Sequence, residues 1–140
     1  MARGKRERVA DRLHSVAIHV LRHAREADRS SGQGPARLSA LSVLVYGGPC
    51  TLGELAQAEQ VTAPTITRIV QGLEADGLVE RKTAPDDARA FIVRATPKGK
   101  RALSLARAQR LRRIESLLSS ANPSDLDRLE DALARVFPRS

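Results

Sequence analysis

Between residues 7 and 27, apolar side chains fall at Val9, Leu13, Val16, Ala17, Val20, Leu21, Ala24 and Ala27. That three-and-four spacing predicts a helix with one apolar face, ended by the Ser- and Gly-rich run 29–35. Leu38-Ser39 announces a second helix, with Ser39 as its cap and Leu38 stapled against Val43, and Gly47-Gly48-Pro49 stops it after Tyr46. Thr51-Leu52-Gly53-Glu54 reads as a capping box, opening a helix that lasts to about Glu59 with Leu52, Leu55 and Ala56 inward. After a break at Gln60-Val61, Thr62 caps a further helix whose buried stripe is Ile66, Ile69, Val70 and Leu73. Gly77 closes it, with Leu78 packed behind.

The period then changes. Residues 78–83 alternate, as do 90–95, and the intervening Ala84-Pro85-Asp86-Asp87-Ala88-Arg89 is rich in turn-formers, so a hairpin is predicted. Thr96-Pro97 opens a long helix with a stripe of Leu103, Ala106, Leu111, Ile114, Leu117, Leu118 and Ala121. Asn122-Pro123 repeats the start signal for a last helix with Leu126, Leu129, Leu133 and Val136 inward. The expected fold class is mainly α with a small two- or three-stranded β-wing. A winged helix-turn-helix domain spans 37–96, with the helix-turn-helix at 51–77 and the wing at 78–96. Residues 1–30 and 97–140 form a helical region around it. Those outer helices carry more apolar stripe than a winged helix of this size covers, which predicts a second copy of the chain.

Composition narrows the chemistry. The 140 residues hold 24 Lys and Arg against 16 Asp and Glu, a net charge of +8, which suggests nucleic acid. Tyr46, Phe91 and Phe137 are the only aromatics, too few for a single-strand stacking platform, so a duplex is favoured. A lone Cys50 excludes an internal disulfide and a cysteine-based zinc cluster. His19 and His23 share a helical face without further ligands, so neither metal nor cofactor is expected. No apolar run approaches a membrane span, and the start is charged, so no membrane partner and a cytoplasmic location are expected.

At 100° per residue the fourth helix turns Pro64, Arg68, Gln71 and Ala75 away from its buried stripe, with Thr65 and Thr67 on the flanks. This face suits a major groove: Arg68 can pair with guanine and Gln71 with adenine, while either threonine can touch a thymine methyl or a phosphate. The alternative is a solvated polar face. Arg89 at the hairpin tip, oriented by Asp86 or Asp87, can enter a narrow minor groove; the alternative is a surface ion pair.

The run Thr51-Leu-Gly-Glu-Leu-Ala, then Thr62-Ala-Pro-Thr-Ile-Thr-Arg-Ile-Val, Leu73-Glu-Ala-Asp-Gly-Leu-Val-Glu-Arg, and Asp87-Ala-Arg89 leading to Ala95-Thr-Pro-Lys-Gly99 resembles the MarR (multiple antibiotic resistance regulator) family. The resemblance implies a homodimeric winged-helix transcription factor, whose first and last two helices interlock with a partner, and the leading expectation is a sequence-specific repressor that binds a pseudo-palindromic operator in double-stranded DNA. The resemblance places the recognition helix at 62–76, starting at Thr62, and the wing arginine at Arg89 with Asp87 as its orienting acid. It also implies release by a small phenolic or anionic effector, or by cysteine oxidation. Cys50 lies before a helix start, where a helix dipole favours thiolate, but the family's peroxide sensors place their cysteine in the N-terminal helical region. A buried, inert Cys50 is the other reading.

Two alternatives stand beside a sequence-specific regulator: an architectural DNA-binding protein of low specificity and a thiol-based regulator acting through Cys50. An enzyme is disfavoured, since no Ser-His-carboxylate set, phosphate loop or apolar carboxylate pair is present. The charge distribution sharpens the picture. Residues 50–96 hold five Lys and Arg against seven Asp and Glu, whereas residues 97–121 hold seven against one. Arg37 and Ser39 are read as phosphate contacts, and Lys98, Lys100 and Arg101 as a positive shoulder that steers DNA.

Overall fold

A computed structural model describes residues 4–86 and 91–139. The chain runs α1 (Lys5–Ser30), α2 (Gly34–Gly47), β1 (Cys50–Thr51), α3 (Leu52–Glu59), α4 (Ala63–Ala75), β2 (Val79–Thr83), β3 (Phe91–Ala95), α5 (Pro97–Leu117) and α6 (Pro123–Val136). The sheet has the order β1-β3-β2, all antiparallel, with Cys50 opposite Val93 and Val79 opposite Ala95. The expected mainly α winged helix-turn-helix is therefore present, and its wing has three strands.

The helix starts are chemically specified. Thr51, Thr62, Thr96 and Asn122 each accept a hydrogen bond from the backbone N–H three residues on, satisfying donors that a helix leaves unpaired at its first turn. Between α3 and α4 the chain turns through Gln60, a non-glycine residue at φ 56°, and Val61 N–H returns to the Ala56 carbonyl at 3.0 Å. At the end of α4, Gly77 adopts φ 73° and Leu78 N–H donates to the Leu73 carbonyl at 2.9 Å. That closure buries Leu78 and starts β2 against the core.

Two expected boundaries are corrected. Ser39 is not a cap: α2 begins five residues earlier, at Gly34, with Gln33 in the capping position and Pro35 in the first turn. Pro35 fixes φ at a helical value and needs no N–H there, so the loop after α1 shrinks to Ser31–Gln33, and Leu38 lies in the middle of the helix, fully buried. The long helix ends at Leu117 rather than 121, because Leu118–Ala121 close in tight turns before Asn122.

The core lies within the helix-turn-helix and wing, with α2 and the first turns of α5. Leu38, Leu41 and Leu44 of α2 pack with Leu55, Ile66, Val70, Leu73, Val79 and Val93, and Leu103 and Ala106 of α5 complete the cluster. α1 packs along α5, where a buried carboxylate, Asp28, 3% exposed, receives both Nε and Nη2 of Arg110. Glu26 pairs with Arg113 beside it. By contrast α6 buries no residue. Leu126, Leu129, Leu133 and Val136 are exposed along it, as are Val9, Leu13, Val16 and Leu21 along α1. No helix among the described residues is long and apolar enough to cross a membrane.

Candidate nucleic-acid interface

α4 is placed by three apolar anchors, Ile66, Val70 and Leu73, all buried. Helical periodicity then leaves Pro64, Arg68, Gln71 and Ala75 exposed on the other side, as the spacing predicts. Arg68 and Gln71 therefore stand together on one open surface. Thr62 and Thr65 are partly committed to structure: the Thr62 hydroxyl donates to Thr65 Oγ1 at 2.9 Å while accepting from Thr65 N–H. The Thr67 hydroxyl donates to the Ala63 carbonyl at 2.8 Å, so its methyl group and lone pairs are what it offers to a partner.

The other predicted contacts divide. Arg37 lies beside α4 with Nη1 3.4 Å from Asp76 Oδ2. With Thr65, Arg68 and Ile69 it lines a shallow groove of about 410 Å³ between the start of α2 and α4. Ser39 faces α3 instead, and its hydroxyl donates to Glu59 Oε1 at 3.0 Å, where a carboxylate neighbour disfavours a phosphate. Asp87 and Arg89 lie outside the described residues; the strands that carry that hairpin are in register from Val79–Ala95 to Thr83–Phe91.

Three groups that the sequence pattern did not single out shape this surface. Gln33 Nε2 donates to Asp76 Oδ2 at 3.2 Å, joining Arg37 on the same oxygen. Gly72, in the last turn of α4, leaves the space that the Arg37 guanidinium occupies; a glycine inside the helix without a positive φ was the available signal. Arg81 of the wing donates from Nε and Nη2 to both oxygens of Glu74, each at 3.1 Å. That bidentate pair holds Glu74 below the ordinary carboxylate range and raises Arg81, and it ties the wing to α4.

The basic shoulder is also altered. Lys98 Nζ donates to the Asp76 carbonyl at 2.9 Å, so it caps the C-terminal end of α4, where a cation complements the helix dipole. Nearby, Thr96 donates to the Gly77 carbonyl at 2.7 Å. Gly99 allows the start of α5 to pass so close to Leu78 that any side chain there would collide with the Leu78 carbonyl. An open cleft of about 610 Å³ lies beside this joint, lined by Gln33, Asp76, Lys98, Arg101 and Leu105.

Among the described residues no group of three or more His, Cys, Asp or Glu is arranged to hold a metal ion; His19 and His23 meet edge to face, 4.8 Å between ring centres. Burial, and behind it the Glu54 carboxylate, push the Cys50 thiol above its ordinary range. That is opposite to the thiolate expected from a helix dipole, and it opposes reactivity.

Known proteins with the same arrangement agree with this reading of the fold. The MarR family profile matches residues 31–90. An uncharacterized HTH-type transcriptional regulator, Mb0904 of Mycobacterium bovis, is 32% identical over 125 residues, 89% of this chain and 87% of its own length. The transcriptional regulator Tm0710 of Thermotoga maritima superposes with a TM-score of 0.73 at 27% identity, covering 94% of this chain and 98% of that one. A MepR variant from S. aureus, solved bound to an oligodeoxyribonucleotide, superposes with a TM-score of 0.74 at 16% identity, covering 91% and 94%.

Proposed function

The chain belongs to the MarR family of DNA-binding helix-turn-helix transcriptional regulators, and from that premise we propose that it is a homodimeric repressor of a pseudo-palindromic operator. The observation that carries the finer reading is the division of α4: three buried anchors on one side, Arg68 and Gln71 exposed together on the other. In a major groove Arg68 donates two parallel hydrogen bonds to a guanine and Gln71 pairs with an adenine, while Pro64, Thr65 and Thr67 supply small contacts and Thr62 fixes the helix start. Arg37 meets a phosphate at the groove edge. Ser39 holds α2 to α3 through Glu59. On the hairpin, Arg89 enters the adjoining minor groove with Asp87 as its orienting partner.

The exposed apolar stripes of the outer helices support dimerisation. Four large apolar side chains on α6 and five on α1 face water in a single chain; covering a Leu or Val side chain is worth about 1.5–3 kcal/mol, which favours a second copy as the partner that covers them symmetrically. Two copies set two α4 helices in successive major grooves, about one helical turn apart. Release by a small phenolic or anionic effector belongs to the same reading. Lys98 and Arg101 in the cleft at the joint of α4 and α5, which Asp76 also lines, support an anionic effector there.

Selection of bound duplexes from a random pool tests the assignment. Wild-type protein is expected to enrich a two-fold symmetric site, and Arg68→Ala to lose discrimination at one base position per half-site at a cost of about 1–3 kcal/mol. An unstructured pool with wild-type protein points instead to an architectural DNA-binding protein, and an unchanged site with Arg68→Ala removes Arg68 from the readout.

A further inference from the structure

α4 carries one cation of its own, Arg68. A second guanidinium lies along its flank, and it comes from α2. Arg37 stands one turn into α2, at the positive end of that helix's dipole, so α2 alone gives no reason for a cation there. The reason lies across the groove. A methyl group built on Gly72 would overlap Nη2, Cζ and Nε of Arg37, the farthest of the three only 2.7 Å away. Gly72 has no positive φ and makes no turn, and a glycine inside a helix is a standing cost to that helix. Its use is the notch that lets the guanidinium lie against the α4 backbone.

Asp76, one turn further on, completes the seat. Its Oδ2 takes Nη1 of Arg37 at 3.4 Å and Nε2 of Gln33 at 3.2 Å. Both members of the Arg37–Asp76 pair are partly open, with side chains 37% and 46% exposed. Such a pair orients a guanidinium without binding it tightly. Among the described residues Asp76 is the only ion-pair partner of Arg37, and Arg37 lines the groove that also holds Arg68.

We infer that Gly72 and Asp76 are positioning residues that hold Arg37 on the flank of the recognition helix as its second cation, aimed at a DNA backbone phosphate while Arg68 reaches the bases. The inference rests on the reading of α4 as the groove-entering helix and of Arg37 as a phosphate contact. It assigns to Gly72 a role in DNA binding that it performs without touching DNA.

The test is a double-mutant cycle on the selected operator, read as affinity over a series of salt concentrations. Arg37→Ala is expected to weaken binding about tenfold, the scale of one charge-assisted contact, and to reduce the slope of log K against log salt by about 0.9, one phosphate. Gly72→Ala is expected to reproduce both changes by evicting the guanidinium, with no fall in thermal midpoint, because alanine is the better helix former. The double variant should bind no worse than Arg37→Ala. Asp76→Asn, an exposed change of charge alone, should move affinity and slope in the same direction by less. Wild-type affinity and slope in Gly72→Ala, or further loss when it is added to Arg37→Ala, overturns the inference and leaves the DNA reading of Arg37 standing. Wild-type binding by Arg37→Ala itself overturns that reading and the inference together.

Discussion

The reading head and the outer helices solve opposite problems with similar residues. From α2 to β3 and into the first turns of α5, leucines and valines meet one another within one chain: Leu41, Leu55, Val70, Leu73 and Val93 are fully buried. In α6 and the first half of α1, leucines and valines at equally regular spacing meet water. The charge is divided in the other sense, with the helix-turn-helix and wing slightly acidic and α5 strongly basic. Regular apolar spacing thus specifies a helix in both places, and only the presence of a local partner separates a core from an interface. Positive charge likewise does not gather in the helix-turn-helix and wing; it gathers on the helices around them.

That contrast can be broken most forcefully at matched leucines. Leu55→Ala should destabilise the head by about 2–5 kcal/mol, whatever the protein concentration. Leu129→Asp combined with Leu133→Asp should leave the head folded, turn the dimer into a monomer and abolish tight operator binding, as followed by sedimentation and by the thermal midpoint. If the α6 variant remains dimeric, the stripe on α6 is not the interface.

A smaller effect is expected where the two regions are joined. Asp28 is buried and takes two nitrogens of Arg110, but the arginine side chain keeps 37% exposure, so water can recover part of what the ion pair loses. Asp28→Asn should therefore cost about 1–2 kcal/mol, less than breaking a fully buried pair, measured by denaturant unfolding. No change would mean that the Asp28–Arg110 pair adds nothing to the hold of α1 on α5.

The smallest effect concerns pH. Glu74 is held below its ordinary range by Arg81, so its contribution is present above the unfolded-state value near 4.3 and is lost as pH falls through the lower folded value. The wing-to-α4 tie should weaken only under acid conditions, and Glu74→Gln should flatten that part of the stability profile. An identical acid profile in the variant would show that the pair adds nothing to stability.

Much of this organisation was legible in the sequence because short-range chemistry specifies it. Thr51, Thr62, Thr96 and Asn122 announce their helices by side-chain capping, and Gly77 announces an end by its left-handed backbone. The exposed placement of Arg68 and Gln71 follows from the burial of Ile66, Val70 and Leu73 by periodicity alone. Ser39 misled because a serine before an apolar run resembles a cap, whereas Pro35 had already begun the helix. The Arg37, Gly72, Asp76 and Gln33 cluster was not legible, since its members are up to 43 positions apart and meet only through tertiary packing. The same holds for Lys98, which reads as a free surface cation until the fold brings it to the Asp76 carbonyl.

The central claim is that two copies of the chain act together, joined through the exposed stripes of the outer helices and reading DNA through two α4 faces. Sedimentation equilibrium of the protein on its selected operator tests this most directly. Two chains of 15.2 kDa per duplex, with the Leu129 and Leu133 variant failing to form that complex, is the predicted result. A single chain bound to the operator at wild-type affinity would contradict it.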